Sequence, residues 1–472
     1  MIANLQPYPK YKDSGSRWLA AVPTHWEVRN LRTLIRHRNE RNRADLPLLS
    51  VAREKGVFVR SLTDENENHN VIPDDLSNYK VARAGNLVIN KMKAWQGSMG
   101  IAPCDGIVSP AYFVFDFAIS NRAFGQALLR SKPYVAHFGQ ASDGVRVGQW
   151  DLTIPGMRQI PVLVPPPEEQ AAVVRFLDYA NGRLERAIRA KRQVIALLHE
   201  QKQAIIHRAV TRGLDPTVLL KPSGIPWLGD IPKHWGICSV KRLCRSGYKT
   251  FTDGDWIEIP FITESGVRLL QTGNVGRGHY REKGFRFISE ETFKSFGCTE
   301  VFPNDVLICR LDGPVGRACL APQLGVRMIT SVDNTILKVR PDVDAQFVVS
   351  LMSSSAWLNF LQSICRAGGG FRYRVSRSML GAISVPLPPH AEQQAIVRGI
   401  EAESAPANAA IARLEREISL LREYRTRLVA DVVTGKLDVR PAARQLPEEG
   451  GELSDGAGES DSSDLPDEMP LE

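Results

Sequence analysis

Apolar residues recur at alternating spacings of three and four along two long stretches of the chain. In the first stretch these positions are Leu177, Leu184, Ile188, Ile195, Leu198, Ile205 and Ala209, with Lys191 and Lys202 as polar interruptions. In the second they are Ile400, Ala407, Ile411, Leu414, Ile418, Leu421, Leu428 and Val432, interrupted by Arg425. This spacing predicts two amphipathic helices of about 43 residues, roughly 64 Å long, each with a coiled-coil seam.

The two predicted helices either pack separately on their own domains or pair with each other. We favour pairing, because the two seams match in length and phase. Since a whole domain connects the helices, a pair formed within one chain would be antiparallel. Pro167 at the start of the first helix and Gly213 beyond its end are typical boundary residues.

Two other blocks, at about residues 27–160 and 236–383, show a different pattern. Short apolar runs such as 87–89 and 306–308 are rich in β-branched residues and are separated by Gly, Pro and Asp turns. Helical patterns occur near 121–136 and 344–365. We therefore predict an α/β (α+β) fold, with a twisted sheet in each block and the two long helices between them.

The chain is also an internal repeat. Residues 12–26 (KDSGSRWLAAVPTHW) and 221–235 (KPSGIPWLGDIPKHW) match at eight of fifteen positions with an offset of 209. Residues 160–175 and 383–398 match at nine of sixteen positions with an offset of 223. We call the first motif the entry motif and the second, which contains Pro-Pro and Glu-Gln, the exit motif. Fixed-period self-similarity indicates a repeated architecture, here with a pseudo-twofold.

The repeat predicts seven segments. They are an N-terminal entry segment (1–26), a first variable block (27–160), a first long helix (161–215), a second entry segment (216–235), a second variable block (236–383), a second long helix (384–440) and an acidic disordered tail (441–472).

Charge is unevenly distributed along the chain. The net charge is +8, but residues 445–472 contain ten acidic side chains and no Lys or Arg, so the rest carries 60 basic against 42 acidic side chains. A body with a net charge of +18 suits a polyanion, although such a charge also serves solubility. The seven cysteines form no CxxC pair, and no signal or membrane-spanning run occurs. We expect a cytoplasmic protein without a metal site or a membrane contact.

Basic residues follow a buried strand in each block. Lys91, Lys93, Trp95 and Gln96 come after the run 87–89, and Arg310 occupies the matching place after 306–308. Lysine suits phosphate or guanine, and glutamine suits adenine in the major groove. These residues are candidate DNA contacts; the alternative is an ordinary surface turn with the indole packed in the core.

A second basic loop precedes each exit motif. The first, 139–150, contains Arg146, and the second, 366–377, contains Arg366, Arg372, Arg374 and Arg377. Glycines beside arginines let a backbone approach phosphates closely. The alternative is a solvated loop without a ligand.

Candidate catalytic sites are weak. An adenine methyltransferase needs an Asn/Asp-Pro-Pro-aromatic tetrapeptide, and no matching string occurs in the chain. The Asp253-Gly254-Asp255 sequence is more typical of a turn than of a metal site. We predict a recognition protein without catalysis or a cofactor of its own. The alternatives are a DNA methyltransferase or nuclease with its own recognition domains, and a coiled-coil adaptor that binds only protein.

The order of these motifs resembles the specificity subunits of type I restriction–modification systems over residues 11 to about 440. The resemblance rests on the duplicated entry and exit motifs, and on block segments such as 85–115, 252–257 and 304–322. It implies that each variable block is a target-recognition domain reading one half of a split DNA sequence. It also implies that the paired helices form a spacer that docks two modification subunits. The residues assigned to this spacer and partner-binding role are Leu184, Ile188, Ile195, Leu198, Ile411, Leu414, Ile418 and Leu421.

The same resemblance implies a division of labour among subunits. The chain would bind double-stranded DNA, while the modification subunits carry S-adenosylmethionine and methylate adenine. Restriction (motor-nuclease) subunits would join them, so ATP and magnesium are expected on partners. The acidic tail lies outside the family pattern.

Overall fold

The computed structural model describes residues 5–19, 21–61, 73, 75–146, 149–311, 313–368 and 372–447. The chain divides into two compact units, and each unit combines one variable block with parts of both long helices. Unit 1 comprises residues 1–190 and 417–472, and unit 2 comprises residues 191–416.

The first copy of the repeat begins near the N-terminus and ends with a long helix. Its strands are β1 (Tyr11–Asp13), β2 (Ala21–Pro23), β3 (Glu27–Asn30), β4 (Ile35–Arg38), β5 (Leu49–Ala52), β6 (Gly56–Val59), β7 (Lys80–Ala82), β8 (Leu87–Asn90), β9 (Met99–Ile101), β10 (Gly106–Val108), β11 (Tyr112–Phe117), β12 (Ser142–Arg146), β13 (Gln149–Leu152) and β14 (Pro161–Val164). Its helices are α1 (Arg122–Leu129), α2 (Lys132–Gln140), α3 (Ile154–Arg158) and α4 (Pro167–Arg212).

The second copy likewise begins with short strands and leads into a long helix. Its strands are β15 (Leu220–Pro222), β16 (Asp230–Pro232), β17 (Gly236–Ser239), β18 (Phe251–Asp253), β19 (Val267–Leu270), β20 (Phe287–Ile288), β21 (Val306–Cys309), β22 (Ala318–Leu320), β23 (Met328–Thr330), β24 (Asn334–Leu337), β25 (Arg366–Gly368), β26 (Arg372–Arg374) and β27 (Ser384–Leu387). Its helices are α5 (Glu290–Ser295), α6 (Ala345–Met352), α7 (Ser355–Ile364), α8 (Arg377–Ala382), α9 (His390–Val433) and α10 (Arg440–Arg444).

Each unit is built on a four-stranded antiparallel sheet. The strand order is β4-β11-β8-β9 in unit 1 and β18-β24-β21-β22 in unit 2. The central strands β8 and β21 are buried along their whole length, because helices cover one face of each sheet and additional strands cover the other. In each sheet the strand that comes first in the sequence pairs with the strand that comes last, β4 with β11 and β18 with β24. The two copies therefore share one topology, which confirms the predicted internal repeat.

The two units differ in the structure added around this sheet. Unit 1 adds the hairpin β5-β6 and the pair β7-β10. Unit 2 adds a three-stranded sheet, β20-β19-β23, in which β19 and β23 run parallel. This second sheet has its own buried cluster, which includes Val267, Leu269 and Ile329. The two blocks therefore share a core topology but present different surroundings.

The long helices pair within both units. In unit 1, Arg425 of α9 forms an ion pair with Glu185 of α4. In unit 2, Arg208 of α4 forms an ion pair with Glu403 of α9. Sequence numbers rise along one helix as they fall along the other, so the helices are antiparallel. This confirms the predicted α/β (α+β) fold with an antiparallel helical pair. Arg425, the polar interruption in the second seam, forms an ion pair across the two helices.

The assigned seam residues lie where the helices contact their neighbours. Buried among them are Leu184, Ile188, Ile411 and Ile418, and half-buried are Ile195, Leu198, Leu414 and Leu421. By contrast, neighbouring apolar residues that the seam excludes are exposed, including Leu197 and Leu420. The heptad spacing therefore identified the buried helix faces correctly.

The end of the described chain differs from its prediction. Residues 440–444 form the helix α10, in which Ala443 is buried in the core of unit 1. The boundary predicted at residue 441 is therefore too early, because α10 supplies an apolar contact. The remaining residues of the predicted tail, 448–472, lie outside the described residues.

Within the described ranges, no single helix has the length and apolar composition to cross a membrane. The consecutive helices α6 and α7 satisfy that test only when taken together, and they are bent by 61° relative to each other.

Candidate nucleic-acid interface

The entry and exit motifs of the first copy meet on one carboxylate. Glu169, in the first turn of α4, is buried and accepts hydrogen bonds from the Trp26 indole (Nε1–Oε1 3.0 Å) and the Tyr8 hydroxyl. The Nε2 atom of His25 lies 2.7 Å from the other carboxylate oxygen. Burial and the adjacent carboxylate raise the pKa of Tyr8, so its hydroxyl stays protonated and donates. We call this group the clasp of unit 1.

The second copy forms the same clasp with fewer members. Glu392, in the first turn of α9, accepts from the Trp235 indole (Nε1–Oε1 2.9 Å) and lies 2.8 Å from Nε2 of His234. Its carboxylate is 29% exposed, whereas that of Glu169 is 4% exposed. The repeated His-Trp pairs thus have a structural role, which is to bind each entry motif to the helix that follows its block.

The glutamine after each clasp glutamate positions one helix of its block, α1 in the first and α6 in the second. Oε1 of Gln170 accepts from the backbone N–H of Asn121 (2.9 Å), and Oε1 of Gln393 accepts from that of Asp344 (2.7 Å). Asn121 and Asp344 are the N-caps of α1 and α6, and their own side chains accept from the N3 amides. The exit motifs therefore connect the long helices to the variable blocks through these hydrogen bonds.

The candidate DNA contacts of unit 1 lie on the loop after β8. Lys93 is exposed, while Lys91, Trp95 and Gln96 are half-buried. The Trp95 indole donates to the carbonyl of Met92 (3.1 Å). The indole is therefore neither fully packed in the core, as one alternative predicts, nor fully exposed. Its contact with DNA stays a prediction.

This loop contacts the hairpin β12-β13, which is the second basic loop predicted for the block. The backbone N–H of Leu152 donates to the carbonyl of Lys91 (2.8 Å), and the Lys91 ammonium lies 2.9 Å from Asp151. The rings of Trp95 and Trp150 make an edge-to-face contact with centroids 5.1 Å apart. Two segments separated by about fifty residues of sequence thus form one surface. Arg146 lies on β12 in this hairpin, but its side chain lies outside the described residues.

Trp95 and Gln96 also border a cleft of about 910 Å³ in unit 1. Its walls include Arg130 near the start of α2, Asn181 of α4 and Arg425 of α9. The lining contains carboxylates as well as cations: Glu185 also borders the cleft, and it forms an ion pair with Arg425. Trp95 and Gln96 therefore border a cleft that is also lined by both long helices.

Unit 2 brings the corresponding segments together in the same way. The backbone N–H of Val375, next to β26, donates to the carbonyl of Arg310 (3.1 Å), and Leu311 forms a bridge with Arg374. The loop after β21 therefore contacts the hairpin β25-β26, as the loop after β8 contacts β12-β13.

A glycine with positive φ ends each of these loops. Gly97 has a φ of +88° and Gly316 a φ of +81°, a region that disfavours other residues. A Cβ atom at Gly316 would lie 1.9 Å from Leu361, and one at Gly97 would lie 3.1 Å from Val135. The loop of unit 1 thus turns tightly over α2, and that of unit 2 over α7.

Arg310 is buried, which corrects its predicted role. The residue is 4% exposed, and its guanidinium donates to the carbonyls of Val332 (2.7 Å) and Val375 (3.2 Å). Its Nε atom lies 3.3 Å from Asp253. Burial lowers the pKa of Arg310, and the Asp253 carboxylate opposes that effect. A direct DNA contact by Arg310 is not supported, because its donors already face the protein interior.

The other candidate arginines of unit 2 are partly described. Arg374 is 51% exposed and pairs with Asp333 (2.8 Å), and Arg377 is 44% exposed and lies 3.9 Å from Asp253. Arg366 lies on β25 and Arg372 on β26, but their side chains lie outside the described residues.

Sequence reasoning missed the carboxylates at both surfaces. Asp151, Asp253 and Asp333 orient the candidate cations, yet none of them was singled out as part of a site. Asp253 did have a signal, since it stands in the 252–257 segment on which part of the family resemblance rests, but Asp253-Gly254-Asp255 was interpreted as a turn rather than a metal site. Among the described residues, no group of three or more His, Cys, Asp or Glu side chains is arranged to hold a metal ion.

No protein-family model matches the chain. The chain is 20% identical over 211 residues to the type I restriction enzyme EcoKI specificity subunit of Escherichia coli (strain K12). That match covers 44% of this chain and 44% of that protein, so it spans less than half of the relative.

Solved structures resemble most of the chain. One comes from a study of complex assembly and conformational transition of the type I R-M system; its TM-score is 0.59 at 16% identity, with 88% of this chain and 99% of that chain covered. Another is the HsdS subunit from Thermoanaerobacter tengcongensis, with a TM-score of 0.43 at 16% identity, covering 88% and 98%. The sequence match confirms the predicted resemblance to the specificity subunits of type I restriction–modification systems, and the first of these structures has a similar fold.

Proposed function

We propose that this chain is a DNA-reading specificity subunit that directs adenine methylation and restriction by partner subunits. The observation that carries the proposal is the meeting of two basic segments at the same place in both units. In unit 1 these segments contain Lys91 and Arg146; in unit 2 the exposed cation is Arg374 of β26, and the loop after β21 contributes the buried Arg310 beneath it. A DNA-binding surface needs cations that position the backbone and polar side chains that reach base edges.

The two surfaces differ in chemistry, so we infer an asymmetric target. Unit 1 presents lysines, a glutamine and two tryptophans, whereas unit 2 presents arginines paired with aspartates. Readers that differ in this way would select different half-sites. The antiparallel helices would act as the spacer between the half-sites and dock two modification subunits, which supply S-adenosylmethionine. Where restriction subunits join, they would supply the ATP- and magnesium-dependent steps.

The proposal is tested by salt-dependent binding of the chain in complex with its modification subunits. A protein that contacts six to ten phosphates loses on the order of a thousand-fold or more in affinity between about 50 and 200 mM salt. We expect a loss of this size for a duplex carrying the host's methylation motif, measured by fluorescence anisotropy. The chain alone should transfer no methyl group and cleave no DNA.

Each alternative function predicts a different result. Salt-insensitive binding would identify a protein-only adaptor. Methyl transfer or cleavage by the purified chain would identify an enzyme. Mapping of methylated adenines in the host should give a split, asymmetric motif that disappears when this chain is deleted.

Replacing Lys91 with alanine tests the surface of unit 1. We expect weaker binding of similar size on all duplexes and a salt slope reduced by about 1, as for the loss of one phosphate contact. The matched control is Lys436→Ala, which removes a comparable ion pair with Asp431 (3.0 Å, against 2.9 Å for Lys91 and Asp151) outside both loops. If Lys91→Ala and Lys436→Ala give the same slope as the unmodified chain, Lys91 contacts no phosphate.

A further inference from the structure

Unit 2 contains a network of three arginines and two aspartates centred on Arg310. Arg310 lies 3.3 Å from Asp253, which also faces Arg377 (3.9 Å). Asp333 pairs with Arg374 (2.8 Å), and its backbone carbonyl accepts from the N–H of Arg310 (2.8 Å). All four neighbours act electrostatically on Arg310. The five residues, drawn from four separate segments of sequence, are therefore linked by three ion pairs and by the backbone hydrogen bond between Arg310 and Asp333.

Exposure increases outward through this network. The side chain of Arg310 is 5% exposed, those of Asp333 and Asp253 are 23% and 28% exposed, and those of Arg374 and Arg377 are 51% and 44% exposed. The carboxylates thus stand between a buried cation and two cations at the surface. Such pairing restricts the rotamers of long side chains before any ligand arrives, which lowers the entropy cost of binding.

The chemistry of an exposed, carboxylate-held guanidinium selects particular ligands. Arginine has five N–H donors in a planar fork and no acceptor. In the major groove guanine presents two acceptors, N7 and O6, whereas adenine presents one acceptor and one donor. A fork of donors is therefore complementary to guanine, and it forms only one hydrogen bond with adenine.

Unit 1 lacks this arrangement at the corresponding place among its described side chains. Lys91 is held by Asp151 there, and an ammonium is a point charge without a fork. The corresponding position in unit 2 is occupied by the buried Arg310, and the exposed cations come from β26 and the start of α8. The two units therefore place different kinds of cation at their surfaces.

We propose that Arg374 and Arg377 read guanine in the half-site recognised by unit 2, with Arg310 as a positioning residue that contacts the Asp253 side chain and the backbone of Asp333. This inference rests on the proposed function and adds the identity of a base to it. It assigns different roles to three arginines that the sequence pattern treats alike.

The test uses the complete complex with modification subunits and its mapped target. Each guanine of the half-site read by unit 2 is replaced in turn by 7-deazaguanine, which lacks the N7 acceptor, or by another base. We expect roughly tenfold or greater discrimination against the base replacement at one guanine or more, within the range typical of a bidentate contact. Arg374→Lys or Arg377→Lys should abolish that discrimination, because lysine keeps the charge and loses the fork.

Two variants separate reading from positioning. Arg310→Lys should reduce discrimination at the same guanine while leaving the salt slope unchanged, because a buried cation contacts no phosphate. The matched control is Arg340→Lys, which alters an Arg–Asp pair of unit 2 outside the network (Arg340 Nε to Asp342, 2.8 Å). This control should leave discrimination at the half-site of unit 2 intact. At the half-site read by unit 1, the lysine variants of all four arginines should discriminate as the unmodified complex does.

Three results would overturn the inference while leaving the proposed function in place. These are lysine variants of Arg374 and Arg377 that retain full discrimination, that weaken binding equally on every duplex, or that lose the modification subunits from the complex. The second result would indicate phosphate contacts, and the third a protein contact. Failure of the proposed function itself would look different, since the unmodified complex would then bind DNA without sequence preference.

Discussion

Replacing Glu169 with alanine is expected to lower the free energy of unfolding by about 3 kcal/mol. The substitution leaves the Trp26 indole and the Tyr8 hydroxyl, both buried, without their acceptor, and each unsatisfied buried donor costs about 1–3 kcal/mol. It also removes the partner of His25. Denaturant and thermal unfolding of the purified chain measure the effect.

Two controls make this prediction specific. Glu168→Ala, at the exposed neighbouring position in the same helical turn, should change the unfolding free energy by no more than about 0.5 kcal/mol. Glu392→Ala should cost less than Glu169→Ala, because its carboxylate is 29% exposed and water can replace part of the lost bonding. Equal effects of Glu168→Ala and Glu169→Ala would show that the clasp contributes little to stability.

Matched insertions of four residues in both long helices are expected to lengthen the gap in the DNA target by one or two base pairs. The insertions would follow Ala190 in α4 and Arg416 in α9, where the two units divide along each helix. Four helical residues add about 6 Å, and one base pair adds about 3.4 Å. Each base pair also rotates the duplex by roughly 34°, which favours the smaller change. Methylated-adenine mapping in the host reads out the gap.

The base sequences of the two half-sites should stay unchanged in this experiment, because the insertions lie outside both variable blocks. An insertion in α4 alone should abolish methylation, since it shifts the ion pairs Glu185–Arg425 and Arg208–Glu403 out of register. A gap that stays the same after the matched insertions would contradict the spacer model.

Spacing along the chain was sufficient to predict the repeat and the helical pair. An α-helix has a fixed period, so a seam such as Leu184, Ile188, Ile411 and Ile418 identifies its buried face without knowledge of its partner. The same holds for the strands, because the continuous apolar runs of β8 and β21 indicate burial on both faces.

The role of each charged residue, in contrast, was decided by the tertiary structure. Arg310 and Arg374 look equivalent in the sequence, yet one is buried and the other is half exposed. The difference arises because a charged side chain is buried only where distant groups neutralise it and accept its hydrogen bonds. For Arg310 those groups are Asp253, Val332 and Val375. Local periodicity carries no information about such partners, so the sequence alone determined the architecture and the fold selected which cations reach the surface.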